Sequence, residues 1–232
     1  MLALCVLPIS RKESFKGKIQ TRPGFKKEIM SLRQTVLQEA LNILKRDGLE
    51  GITEASMMQK LGISQATFRE IFVNLPDMIT QVMAYDSELQ IEEHRRLLSN
   101  SKSAVEDILY LLNEGISNLK KTNPILFKQL QESYPKVWAN SLEHLNSYSY
   151  PKVNGILNKG VLEGTFRQDI NIQLVSKIIF EQLYMMLNPV VFSPDRYNLA
   201  EVFRSIYLYY IRGICTPNGA KLAEDFFSRN QL

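Results

Sequence analysis

Two short helical segments joined by only three residues constrain this chain most. Thr53 and Ser64 are suited to cap two helices, one ending near Leu61 and the next running from Gln65 to Phe72. The connection is Gly62-Ile63-Ser64, in which glycine can adopt the left-handed stop of the first helix. A tight turn with a glycine between two short helices is the geometry of a helix-turn-helix.

The second of these helices has one apolar and one polar side. Its small core is predicted from the large apolar residues Met57, Leu61, Ile63, Phe68 and Phe72. Amide, hydroxyl and guanidinium groups remain outside, and such groups on a helix can pair with base edges and phosphates in a major groove. The predicted DNA contacts are Lys26, Lys27, Thr53, Gln65, Thr67 and Arg69.

The rest of the chain has apolar residues at helical spacing and almost no alternating pattern, which predicts an all-α fold. A first helix is predicted over residues 27–46, ahead of the helix-turn-helix. Prolines and glycines divide the remainder, and the last helix is predicted to stop at Gly213. The downstream helices are expected near 75–98, 103–121, 124–133, 136–149, 151–163, 171–188 and 199–212.

Three parts follow from this organisation. Residues 1–27 are expected to form a flexible basic arm, 28–75 the helix-turn-helix domain, and 76–232 a larger helical domain. Seven Lys and Arg residues precede residue 28, against Glu13 alone. That charge suits contact with DNA phosphates or a minor groove, and it equally suits a solvated tail. Composition does not decide between the two.

Composition favours a globular protein of the cytoplasm, with 45% apolar and 22% charged residues. The apolar start, Met1–Ser10, lacks a preceding positive charge and a cleavage site, so a tail or an over-called start upstream of Met30 is favoured over a signal peptide. No run of about 18 apolar residues predicts a membrane span. Cys5 and Cys215 match no redox or metal spacing. We expect no metal, cofactor or catalytic set.

The region 29–78 resembles the N-terminal domain of the TetR family of repressors. The resemblance is carried, in order and spacing, by Gly48–Thr53, Gln59–Ser64, Ala66-Thr67-Phe68 and Phe72. A weaker resemblance is found in Gly160–Arg167, followed by Asp169-Ile170. Resemblance to this family implies a homodimeric repressor that binds a near-palindromic double-stranded DNA operator and is released from it by a small molecule.

Three residues depart from that family's pattern. Met58 stands where a small residue is usual, Arg69 where tyrosine is usual, and Leu75 where lysine is frequent. They leave an alternative open, a dimeric helical sensor or interaction protein that has lost specific operator binding.

The helices 171–188 and 199–212 are apolar on more than one side, so each must be buried against other helices on two sides. The resemblance implies that one of these sides packs against the same pair of helices from a second subunit, in a four-helix bundle. The alternative is a central position in a monomeric core. The predicted interface residues are Ile172, Val175, Ile179, Leu183, Val202, Ile206 and Tyr209.

Aromatic residues with polar tips are frequent between residues 105 and 186, as in the lining of a ligand pocket. Ordinary core and surface positions hold the same residue types. The predicted ligand contacts are Tyr110, Phe127, Trp138, His144 and Tyr184.

Overall fold

The computed structural model describes residues 23–230, with side chains from 32 to 229. This part of the chain contains helices and no strand, which confirms the all-α prediction. None of its helices is long and apolar enough to cross a bilayer. The helices are α1 Pro23–Asp47, α2 Glu54–Leu61, α3 Gln65–Ile71, α4 Leu75–Ser99, α5 Ala104–Lys121, α6 Ile125–Ser133, α7 Pro135–His144, α8 Tyr150–Leu162, α9 Ile172–Leu187, α10 Leu199–Ile214 and α11 Pro217–Asn230.

The short helices α2 and α3 are fixed by local capping. The Thr53 hydroxyl accepts from the Ser56 backbone N–H at 3.1 Å, and the Ser56 hydroxyl accepts from the Thr53 N–H at 2.8 Å. Gly62 ends α2 with φ 64°, a conformation that costs glycine nothing. Ser64 and Asn74 cap α3 and α4 through the N–H groups of residues 67 and 77. The predicted caps Thr53 and Ser64 and the predicted turn are therefore confirmed.

Two apolar cores hold the helices together. The first buries one side of α1 against Met57, Phe68 and Phe72 and extends into the first half of α4. It also includes Leu126 and Leu130 of α6, so the helix-turn-helix does not enclose its core alone. The second core lies among α5, α8, α9, α10 and α11. The predicted boundary at residue 75 is thus bridged by shared packing.

The first helix begins earlier than predicted. α1 starts at Pro23, whose fixed φ suits the first helical position. Lys26 and Lys27 therefore lie in its opening turns rather than at the end of a flexible arm, although their side chains lie outside the described residues. The rest of the predicted arm, residues 1–22, also lies outside them.

The predicted break at Pro151 does not occur. A π-helical segment, Leu145–Ser149, joins α7 to α8 without interruption. Proline has no N–H to donate to the carbonyl four residues earlier, and the wider π turn absorbs that missing bond.

The helix α11 was not predicted, because Gly213 was interpreted as the end of the last helix. Gly213 lies inside α10, and the chain turns instead at Cys215, which forms an isolated bridge with Phe166. Gly219 then packs so closely that an added Cβ would lie 1.9 Å from the carbonyl oxygen of Thr165. α11 covers α5, so it completes the second core.

Candidate DNA-binding surface and effector cavity

The surface of α3 has the predicted arrangement of polar and apolar residues. Phe68 is fully buried, whereas Gln65, Ala66 and Glu70 are exposed. The Gln65 side chain makes no hydrogen bond with any other described residue. It lies at the first position of the helix, from which a recognition helix contacts base edges.

Two of the predicted contacts already serve as parts of helix caps. The Thr53 hydroxyl accepts the capping bond of α2. The Thr67 hydroxyl lies 3.0 Å from that of Ser64, the cap of α3. Both groups lie at the start of a helix and keep a lone pair or a proton for a phosphate.

Arg69 is not a free cation. Its guanidinium lies 2.6 Å from Oε2 of Glu54 and also donates to the backbone carbonyl of Val73. Oε1 of Glu54 accepts from the backbone N–H of Leu75 at 3.1 Å. The pair therefore ties α2, α3 and the start of α4 together. The sequence prediction of a phosphate contact did not foresee this partner.

A cavity of about 300 Å³ lies in the C-terminal domain, between the second half of α4 and the helices α5 to α10. Its walls are mostly apolar and include Ile108, Leu112, Phe180 and Phe203. Tyr207 also lines it and donates from its hydroxyl to the carbonyl of Ile179 at 2.6 Å. Burial raises the pKa of Tyr207, which keeps that hydroxyl protonated.

Three of the five predicted ligand contacts line this cavity: Phe127, Trp138 and His144. Tyr110 does not. It packs edge-on against Phe226 of α11, with ring centroids 5.0 Å apart. Tyr184 does not either, because its hydroxyl bonds Asn146 at 2.9 Å, away from the cavity.

One wall of the cavity carries ionisable groups that the sequence analysis missed. Nε2 of His94 on α4 lies 3.5 Å from Oε2 of Glu114 on α5. The buried Nδ1 atom of His94 has no hydrogen-bond partner among the described residues. The ring of Tyr148 stacks with those of His94 and His144, with centroids 6.0 and 5.4 Å away. Burial lowers the pKa of His144, and nearby His94 lowers it further, so this imidazole is neutral at pH 7.

A polar cleft of about 570 Å³ runs beside the cavity, between α1, α4 and α5. It contains an ion pair between Lys45 of α1 and Asp86 of α4, 2.6 Å apart and with only 19% and 11% of the two side chains exposed. Asp86 and Glu114 line both the cleft and the cavity, so the two spaces share a wall.

A second set of contacts joins the domains at α6. The backbone N–H of Asn123 donates to the carbonyl of Lys45 at 2.6 Å and so satisfies the end of α1. The Gln129 side chain accepts from the N–H of Leu49 at 2.6 Å. Because Phe127 and Leu130 on the same helix line the cavity, α6 contacts both the cavity and the helix-turn-helix.

The residues predicted to meet a second subunit divide into two groups. Ile179 lines the cavity and Val175 lies in the second core, and both are buried, so these two are corrected to interior positions. Leu183 also lines the cavity but is half-buried. Ile172, Val202 and Ile206 are half-buried, and Tyr209 is 69% exposed. The apolar side chains that α9 actually exposes are Leu174 and Met185.

Fold and geometry together define a helix-turn-helix protein with a cavity in its helical C-terminal domain. Comparison with known proteins agrees. The family described as "YsiA-like protein, C-terminal region", a TetR C-terminal family, matches residues 87–213. This chain belongs to the TetR family of transcription regulators.

Solved structures extend the likeness over most of the chain. A TetR-family regulator from Agrobacterium tumefaciens is 15% identical with a TM-score of 0.64, covering 81% of this chain and 100% of that one. The fatty acid degradation regulator FadR from Bacillus halodurans is 16% identical, with a TM-score of 0.60 over 77% and 94% of the two chains. FadR from Bacillus subtilis in complex with stearoyl-CoA is 17% identical, with a TM-score of 0.59 over 78% and 98%. No curated protein sequence matches this chain.

Proposed function

We propose that this protein is a homodimeric transcriptional repressor that binds a near-palindromic operator and is released from it by an apolar or amphipathic small molecule. The observation that carries the proposal is the presence, in one chain, of an exposed α3 surface and a mostly apolar internal cavity. α4 packs in the first core beneath α3 and also lines the cavity, so it links the α3 surface to the cavity.

The DNA contact is proposed for the start of α3. Gln65 is exposed and without a partner in the described structure, so its amide is available for a base edge. Thr53 and Thr67 lie at the N-terminal ends of α2 and α3, where a phosphate suits the positive helix end. Lys26 and Lys27 remain proposed phosphate contacts near the start of α1.

The effector is proposed to lie in the cavity of about 300 Å³, which is at the lower end of the range for small-molecule sites, roughly 300–1,000 Å³. The fold similarity to an acyl-CoA complex of FadR supports an occupant with an apolar chain. Phe127, Trp138 and Leu183 would contact that chain.

Dimerisation is proposed through the outer surface of α9 and α10. Leu174, Met185 and Tyr209 expose apolar area on these two helices, although the other sides of both helices are already buried. Covering this area with the same surface of a second copy gives a two-fold dimer, which two half-sites of a palindrome require.

The double variant Leu174→Glu, Tyr209→Glu should yield folded monomers in light scattering. Ile179→Glu should instead unfold the protein. A stable wild-type monomer that binds the operator would contradict the dimer.

The function as a whole is tested by a gel-shift assay with the DNA upstream of the protein's own gene. Specific retardation that survives excess unrelated DNA is the expected result. Failure of the folded dimer to retard this DNA, at low salt and without any added effector, would contradict the assignment.

The contact between Arg69 and Glu54 favours one alternative function. It removes the only Arg or Lys of α3 from DNA contact, and Leu75 supplies no charge at the start of α4. A helical sensor or interaction protein without specific operator binding would have this pattern. Ligand binding and dimerisation that persist without any retardation of DNA would support that alternative.

A further inference from the structure

The ionisable groups around the cavity are unbalanced in charge. Two carboxylates, Asp86 and Glu114, line it, and no Lys or Arg is present among the described residues that do so. Of its two imidazoles, that of His144 is neutral at pH 7, as described above. Within the cavity, a bound molecule therefore meets two carboxylates and no Lys or Arg side chain of the described residues.

The two carboxylates differ in how they are compensated within the protein. Asp86 is paired with Lys45 at 2.6 Å and also accepts from the Gln90 amide at 3.0 Å. Glu114 has no Lys or Arg within ion-pair distance in the described structure. It accepts from the Asn118 amide and lies 3.5 Å from His94.

Burying a carboxylate such as that of Glu114 costs free energy unless hydrogen-bond donors or an opposite charge compensate it. Only 15% of the Glu114 side chain is exposed, and a buried carboxylate needs donors or an opposite charge nearby. His94 beside it has a buried nitrogen atom without a partner. Glu114 lines both the cavity and the polar cleft, and His94 lines the cavity beside it. A ligand with an apolar body would have its polar end here.

We propose that the natural effector has an apolar body and a polar end that donates hydrogen bonds, an amine or an alcohol, which Glu114 binds and His94 helps to orient. A carboxylate at the same place would face Glu114 at close range and be repelled. The aromatic faces of Trp138 and Phe127, which line the same cavity, suit a cationic amine further. This inference rests on the proposed effector cavity and specifies its polar end.

Three probes that differ only in the polar end test it: decylamine, 1-decanol and decanoic acid, at micromolar concentrations. Binding to the full-length protein is measured by calorimetry at pH 7, and release of operator DNA by fluorescence anisotropy. Decylamine should bind tightest, 1-decanol next, and decanoic acid at least about tenfold more weakly than the amine.

Glu114→Gln keeps the shape of the side chain and removes its charge, so the preference of amine over acid should fall by about tenfold. The control is Glu92→Gln, an exposed carboxylate on α4 paired with Arg95, which should leave the order unchanged. Unfolding curves establish that both variants fold, and the order of the three probes on the wild type tests the proposal without either variant.

Two outcomes overturn different parts of the proposal. Decanoic acid binding as tightly as decylamine would overturn the assignment of the polar end and leave the effector cavity standing. Binding of none of the three probes to the folded wild-type dimer would contradict the proposed effector cavity itself.

Discussion

The α3 surface and the cavity wall differ in whether a charged side chain is paired with an opposite charge from the protein. On α3, the cation Arg69 has a counter-charge from within the protein, Glu54, at 2.6 Å. In the cavity, the carboxylate of Glu114 contacts an amide and an imidazole, and no Lys or Arg of the described residues lies within ion-pair distance of it. The charge of Arg69 on α3 is therefore compensated by a carboxylate, whereas that of Glu114 in the cavity has no Lys or Arg partner among the described residues.

This difference indicates where each kind of recognition would come from. An internally balanced surface gains little from long-range attraction, so specificity on α3 should depend on hydrogen bonds from neutral groups such as Gln65. An unbalanced wall can discriminate among ligands by charge, because the ligand itself supplies the missing partner.

The largest effect should come from removing the core beneath α3. Phe68→Ala deletes a fully buried ring, and such changes cost about 3–5 kcal/mol of stability. DNA binding should be lost, whereas binding in the cavity, whose apolar walls lie mostly in the second core, should persist below the unfolding midpoint. Urea denaturation and calorimetry measure the two. Leu162→Ala, at an exposed position, is the control and should cost less than about 0.5 kcal/mol. Loss of cavity binding together with DNA binding in the Phe68→Ala variant, below its unfolding midpoint, would show that the two regions are not separable in this way.

A middle-sized effect should come from Gln65→Ala. Loss of a base contact should weaken the cognate operator by about 1–3 kcal/mol and relax base preference at one position of each half-site. Mismatched DNA should be affected much less, and the salt dependence should not change. Anisotropy titrations on both DNAs measure this. Gln59→Ala removes an exposed amide from α2 as a control. A uniform loss on every sequence would show that Gln65 does not contact a base.

The smallest effect should come from Glu54→Gln. The amide can still accept from the N–H of Leu75, but it no longer holds the charge of Arg69. The released guanidinium should reach a phosphate and steepen the salt dependence of DNA binding by about one unit. Glu50→Gln removes an equal charge from the preceding turn, where the side chain is exposed. If both variants change the salt dependence alike, Arg69 gains no phosphate contact.

Local features of this fold were predictable from the sequence, and long-range ones were not. The caps Thr53 and Ser64 act on backbone groups three residues away, so their residue types suffice to identify them. The approach of His94 to Glu114 depends on how α4 and α5 cross, which neither segment encodes alone. Likewise, an all-round apolar helix does not reveal which side faces inward, and Ile179 was therefore assigned to the wrong side.

The packing of α6 against the first core bears on how such proteins can be recombined. Leu126 and Leu130 complete that core, and Gln129 holds the turn after α1. A chimaera joined at residue 75, with a helix-turn-helix from another protein, would bring foreign side chains against all three. The transferable unit is instead the first four helices together with the matching side of α6, so exchange of operator specificity in this protein is better made by grafting the exposed side of α3 alone.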